Sequence, residues 1–316
     1  MSAPLVAEYA QNAKHSLFGA NHYPSEGLLA FLEENRAYVY ARINSPRVLG
    51  PGEEEAASEE EYWLAAAAIL AQFEGLVAGY QATATHAFRA PLSSLELYLL
   101  NAYGDIFDLS SLFPPQPGTP PQQLGPWMGG GRMRGEKRGE HTEKEGTVGG
   151  DSGAVWQNRD NDRCSVLMKG VDGNEGPDIL VGHTTYDYYV VAWPRMIKET
   201  VLPLRGNWTR ALYSSSPGQL ASLDDLYVLR GEGEGSEGEE KEKGKRGKEG
   251  GREGRLKYEG KKLIVTETTI SMKDAKRDAL LPLLKPQSLL YWIRVGIANA
   301  QAQTGKEWTE VRLHLS

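Results

Sequence analysis

Cys164 is the one cysteine of this 316-residue chain, so any chemistry it performs is that of a thiol and not of an intrachain disulfide. It opens the apolar run Ser165-Val166-Leu167-Met168, which reads as a strand. The turn cluster Asp172-Gly173-Asn174-Glu175-Gly176-Pro177 follows, and a second apolar run, Ile179-Leu180-Val181-Gly182, delivers His183, Thr184 and Thr185. Two strands joined by such a turn form a hairpin, and a hairpin brings its outer ends together. The pattern therefore predicts that a thiol and an imidazole become neighbours, the arrangement that nucleophilic acyl transfer uses. Taken singly, neither residue demands this. A lone cysteine also serves as a small buried hydrophobe, and a lone histidine at a strand end can simply be a packed, satisfied side chain.

Composition narrows what surrounds the hairpin. Hydrophobic content is 40 % and the net charge is −7, which gives no support for a nucleic-acid partner. No apolar run reaches the length expected of a membrane span. The N-terminal stretch MSAPLVAEYAQNAKHSLFGANHYPSEG shows no basic segment followed by an apolar core, so no signal peptide is visible. A helix is expected around Glu26–Tyr40. A clearer one covers Ser58–Tyr80, with Ser58 and Glu61 as a capping box and Ala66, Leu70, Phe73 and Val77 as its core-facing stripe. A third runs from Leu92 to Tyr103, followed by Asp105–Leu109 and a proline stop at Pro114-Pro115.

Residues 114–163 are rich in Pro, Gln, Gly and charges of both signs, the composition of a disordered linker. After the hairpin, Tyr188, Tyr189, Trp193, Met196 and Ile197 suggest a helix within Tyr186–Leu204, and Asn207-Trp208-Thr209 is a sequon that matters only on the secretory path. A turn at Tyr213–Gly218 precedes a strand over Ser222–Leu229. The adjacent Asp224 and Asp225 would point to opposite faces, which suits capping better than metal binding. Gly231–Gly254 is a glycine- and charge-rich insertion; its Gly-x-Gly pattern lacks the Lys-Ser/Thr of a phosphate loop. A strand over Lys262–Ile270 and a helix over Leu289–Ala300 complete the expected elements.

The blocks between Tyr62 and Glu310 resemble the phospholipase B-like (lamina ancestor type) family of N-terminal nucleophile hydrolases. The resemblance rests on Cys164-Ser165 and its strand, the Gly173-Asn174 turn, Asp178-Ile179-Leu180-Val181 with His183-Thr184-Thr185-Tyr186, the block Ser222-Leu223-Asp224-Asp225-Leu226-Tyr227, the run Glu267-Thr268-Thr269-Ile270, and Trp292, Arg294, Ala298 and Asn299. It implies an α/β (α+β) fold of the αββα sandwich type, two mainly antiparallel sheets between helical layers, incomplete at the C-terminus. The chain would divide into an N-terminal helical segment (1–113), the pre-nucleophile linker (114–163) and the hydrolase core (164–316) with its insertion at 231–254.

The same resemblance implies cleavage of the Arg163–Cys164 bond. Cys164 would then carry a free α-amine, with a reference pKa of about 8, as the base for its own thiol. His183 and Thr185 would orient the site, and backbone N–H groups or Asn299 would hold the oxyanion. Thr184, Tyr186 and Arg294 would meet the substrate, a glycerophospholipid or related acyl lipid, with room for peripheral membrane contact. No metal or cofactor is implied, and the family is lysosomal or secreted. Two departures are visible: Thr184 stands where the family has Asn, and Tyr186 where it has Trp. The family's proteins are also longer, so this chain reads as a truncated member. Two alternatives stay open, an N-acyl amide hydrolase of the same superfamily and a catalytically silent remnant.

Overall fold

A computed structural model of the chain describes residues 3–18, 23–45, 53–84, 91–113, 164–173, 176–185, 194–201, 210–223, 226–231, 262–267, 279 and 281–313. The helices α1 (Ala3–Phe18), α2 (Glu26–Asn44), α3 (Glu53–Ala84), α4 (Ser94–Asn101) and α5 (Tyr103–Leu112) come first. They are followed by the hairpin β1 (Ser165–Gly173) and β2 (Gly176–Thr184), then by β3 (Met196–Val201), β4 (Arg210–Ser215), β5 (Tyr227–Arg230) and β6 (Lys262–Val265), and finally by α6 (Tyr291–Gln301) and α7 (Gly305–Leu313). The architecture is α+β, with antiparallel strands throughout the described sheets.

The Ala- and Leu-rich composition of α3 favours a helix intrinsically, and Ala66, Leu70, Phe73 and Val77 are buried as the expected stripe. The helix begins at Glu53, five residues before the Ser58 expected to open it. Residues 59–84 are long and apolar enough to cross a bilayer by length and composition, and part of that stretch is buried inside the fold, where α3 packs against α6. Gly296 of α6 lets the two helices approach closely: a Cβ there would sit 2.6 Å from Ile69 Cδ1. Phe73, Tyr98 and Trp292 form an aromatic cluster at 5.6–5.8 Å between centroids. Buried Asn35 joins three segments by accepting from Tyr98 Oη at 3.0 Å and donating to the carbonyls of Pro286 and Ser288 at 2.7 Å.

Helix ends are stopped by identifiable groups. Ser25 caps α2, its Oγ accepting from Leu28 N at 3.2 Å. The capping box belongs to α4, where Ser93 and Glu96 satisfy each other's backbone N–H groups. Leu290 has no side-chain cap of its own, and the Asp105 carboxylate of α5 takes the Tyr291 N–H at 3.0 Å in its place.

The sheet order is β3-β4-β5-β6. The helix expected after the hairpin is overturned at Met196 and Ile197, which begin β3. Burial there alternates residue by residue, the period of a strand, and all six residues pair with β4. Lys198, Thr200, Ala211, Tyr213, Tyr227, Leu229 and Val265 line one face of the sheet, toward α3 and α6. The tight turn after β4 carries Gly218 at φ +80 and plugs into the helices. Asn101 donates to Gly218 O at 3.0 Å and accepts from Leu220 N at 2.7 Å, and Gln219 donates to Leu100 O at 3.0 Å. Residues 114–163, 232–261, Tyr186–Trp193, Asn207 and Asp224-Asp225 lie outside the described residues, and with them the expected linker, most of the insertion, the sequon and the acidic pair.

Candidate active site

The hairpin forms with the register Ser165 opposite Thr184 and Val166 opposite His183. Directly opposed residues share a face, and alternate residues along a strand do too. Burial follows that rule: Cys164, Val166, Val181, His183 and Thr185 are half-buried, whereas Ser165, Leu167, Gly182 and Thr184 are exposed. Cys164, His183 and Thr185 therefore occupy one face of the open end. The pairing ends at Ser165 and Thr184; continued by one residue, it sets Cys164 across from Thr185 and diagonal to His183, a separation on the order of 7 Å.

His183 is anchored from a distant part of the chain. Its Nε2 lies 3.0 Å from the carbonyl oxygen of Glu267, just beyond β6. A carbonyl only accepts, so Nε2 carries the hydrogen, and in the neutral ring Nδ1 keeps its lone pair. This contact ties the open end of the hairpin to the edge strand of the four-stranded sheet. Nothing local in the sequence signals it, because it joins a side chain to a backbone atom far along the chain.

The remaining expected residues are placed elsewhere. Thr184 lies on the opposite, exposed face, where its Oγ1 donates to Ser165 O at 3.4 Å. Asn299 is buried on α6, and its Oδ1 accepts from Trp308 Nε1 at 2.8 Å. Arg294, also on α6, lies near Tyr62 of α3, whose hydroxyl is pushed up to about 12 by burial, with the guanidinium pulling it down. No described contact joins Asn299 or Arg294 to the hairpin. Tyr186 lies outside the described residues.

Sequence reasoning passed over Lys198, on the inner face of β3. Its Nζ donates to the carbonyl of Ser216 at 2.7 Å and to that of Gln219, and burial pushes the ammonium down to about 8. It stands in the stretch expected to be helical, so no pattern marked it as inward-facing. Beside it, Thr200, Tyr213, Tyr227, Trp292 and Asn299 border a cavity of about 30 Å³, room for about one water molecule. Among the described residues there is no group of His, Cys, Asp and Glu side chains suited to a metal ion.

The model of the phospholipase B family matches residues 1–233 and 257–314 of this chain. The chain belongs to the phospholipase B family. The gap in the match, 234–256, covers most of the glycine- and charge-rich insertion. Among curated relatives, the chain is 28 % identical to Phospholipase-B 81 of Drysdalia coronoides, over 98 % of this chain and 43 % of that protein. It is 26 % identical to Phospholipase B-like protein C of Dictyostelium discoideum, over 92 % of this chain and 39 % of that protein. With human Phospholipase B-like 1 it shares 27 % identity over 80 % of this chain and 34 % of that protein. The chain thus spans about two fifths of the length of these phospholipase B relatives.

Proposed function

We propose that this chain carries the nucleophile of a phospholipase B-like acyl hydrolase of the N-terminal nucleophile type, acting on glycerophospholipids or related lipids. Family membership supports lipid hydrolysis. The observation that carries the choice of residues is the shared hairpin face of Cys164, His183 and Thr185, with His183 held by the Glu267 carbonyl.

Self-cleavage would begin with Cys164 Sγ attacking the carbonyl carbon of Arg163. The C–N bond breaks, the freed nitrogen takes a proton, and a thioester remains. Water then hydrolyses that ester, returning the thiol and leaving Cys164 with a free α-amine. In turnover the amine takes the thiol proton, and the thiolate attacks the lipid ester carbonyl. The resulting ammonium gives its proton to the departing glycerol oxygen, and water releases the fatty acid from the acyl-cysteine by the same proton path. The diagonal spacing of Cys164 and His183 suits this route: a base within the nucleophile's own residue needs no direct thiol–imidazole bond. His183 then positions the site through its fixed ring. Asn299 has no described contact with the hairpin, so the oxyanion is assigned to backbone N–H groups beside Cys164. The αββα layout is part of the same reading, with the helices α3 and α6 and the four-stranded sheet as one half of it.

Mass spectrometry and N-terminal sequencing of the purified full chain test the proposal. A fragment beginning Cys-Ser-Val-Leu is expected, and Cys164→Ala should abolish both the cut and acyl hydrolysis while preserving the fold. An uncut chain that hydrolyses lipid, or an active Cys164→Ala variant, overturns it. Cleavage of N-acyl amides without esters would point to the amidase alternative.

A further inference from the structure

Away from the hairpin, α1, α4 and the start of α2 enclose a half-open cavity of about 150 Å³. Its walls are hydrocarbon: Ala10, Ala13 and Leu17 of α1 face Leu95 and Leu99 of α4, with Leu29 of α2 beside them. Three polar ties anchor α1 beside the gap. Lys14 pairs with Glu96 at 2.7 Å, Ser16 Oγ lies 2.9 Å from Tyr103 Oη, and Tyr9 Oη donates to Gln219 at 3.2 Å. Two alanines facing the gap between these ties leave it unfilled.

The charged groups at its border do not ask for a charged ligand. Lys14 and Glu96 cancel each other, and the second Glu96 oxygen accepts from the N–H and hydroxyl of Ser93 at 2.8 and 2.9 Å. An unfilled apolar cavity forfeits dispersion contacts that a ligand can restore. A cavity of about 150 Å³ with Leu and Phe walls is large enough for benzene.

We propose that this cavity is a binding site for the uncharged hydrocarbon end of a lipid chain, separate from the Cys164 site and recognising volume and apolarity, not head group. Thermal unfolding of the full chain with increasing benzene measures it. The midpoint should rise with the logarithm of benzene concentration, as linkage requires. Ala13→Leu, which fills the space, should remove that rise. Leu99→Phe fills it from the opposite wall and serves if the first variant fails to fold. 1-Octanol should bind at least about tenfold more tightly than octanoate, whose carboxylate would have to shed water at an ion pair already satisfied. Cys164→Ala should bind both probes unchanged, which separates this site from the reaction site. A midpoint indifferent to benzene, an equal rise in both filled variants, or a preference for octanoate overturns the proposal.

Discussion

At the scale of single residues, backbone carbonyls decide what two side chains can do. His183 donates its Nε2 hydrogen to Glu267 O at 3.0 Å, which fixes the ring and leaves Nδ1 with its lone pair. His183→Gln retains an amide donor for that carbonyl but no imidazole. It should keep the melting temperature while lowering acyl hydrolysis up to about a hundredfold, the scale of a misplaced reacting group. His183→Ala should lose both activity and about 1 kcal/mol of stability; activity surviving in both variants would remove His183 from the mechanism. Lys198 carries a different test. Its folded pKa is about 8 against 10.5 in the unfolded chain, so between those values the unfolded state holds more protons. Stability from this group therefore rises with pH across that window, by at most about 3 kcal/mol. Below it, both states are protonated and the folded state bears the full desolvation cost. Urea unfolding from pH 7.5 to 10.5 should show the difference between the protein and Lys198→Met climbing with pH. A flat difference would mean that folding leaves the Lys198 pKa unshifted.

Among the elements, local periodicity made some helices and strands legible, and tertiary contacts determined the others. The stripe Ala66, Leu70, Phe73, Val77 announced α3, and the two apolar runs around a Gly-rich turn announced the β1–β2 hairpin, because each carries its period in its own sequence. The helices α1, α5 and α7 were not expected. For α1, Tyr9, Ala10 and Ala13 are buried against distant partners, and the short α5 depends on packing against α1 and α6. β3 was read as helix because its aromatic lead-in masked an alternation that only pairing with β4 reveals. Glu96 at the start of α4 was legible only as part of a helix, although it both closes the capping box and meets Lys14 of α1. Gly296 was likewise invisible in sequence and is decisive in space. Gly296→Ala drives a methyl into Ile69 Cδ1 and should cost about 1–3 kcal/mol. Ile69→Val deletes that δ-carbon, so the double variant should recover part of the loss. Additive costs in the double-mutant cycle would show that the helices yield elsewhere.

For the whole molecule, the telling asymmetry lies between the two faces of the four-stranded sheet. One face is closed by α3 and α6, with Tyr213, Tyr227 and Leu229 in the core. The other presents Ile197 at 77 % exposure, Val201 at 60 % and Ile264 at 37 %. The hairpin is similarly bare on both sides: Leu167 is 71 % and Leu180 58 % exposed on one, Met168 59 % and Ile179 60 % on the other. The sequence showed apolar strands but could not tell that these side chains would lie open, since an apolar run reads the same whether its faces are covered or not. Exposed apolar side chains gathered on a sheet face bind hydrophobic dyes and promote association, and among the described residues β3 is an edge strand of its sheet. The folded chain should therefore enhance the fluorescence of anilinonaphthalene sulfonate and sediment as a concentration-dependent mixture. Replacing Ile197 and Val201 together by Thr preserves β-branching and strand preference while removing apolar surface from the most exposed positions. That variant should bind markedly less dye and self-associate less, with stability within about 0.5 kcal/mol because the replaced groups already lie in water. Unchanged dye binding would place the sticky surface on the hairpin, where Leu167→Thr with Leu180→Thr gives the parallel test. A fall of several degrees in the melting temperature would show instead that Ile197 and Val201 are buried in the free chain.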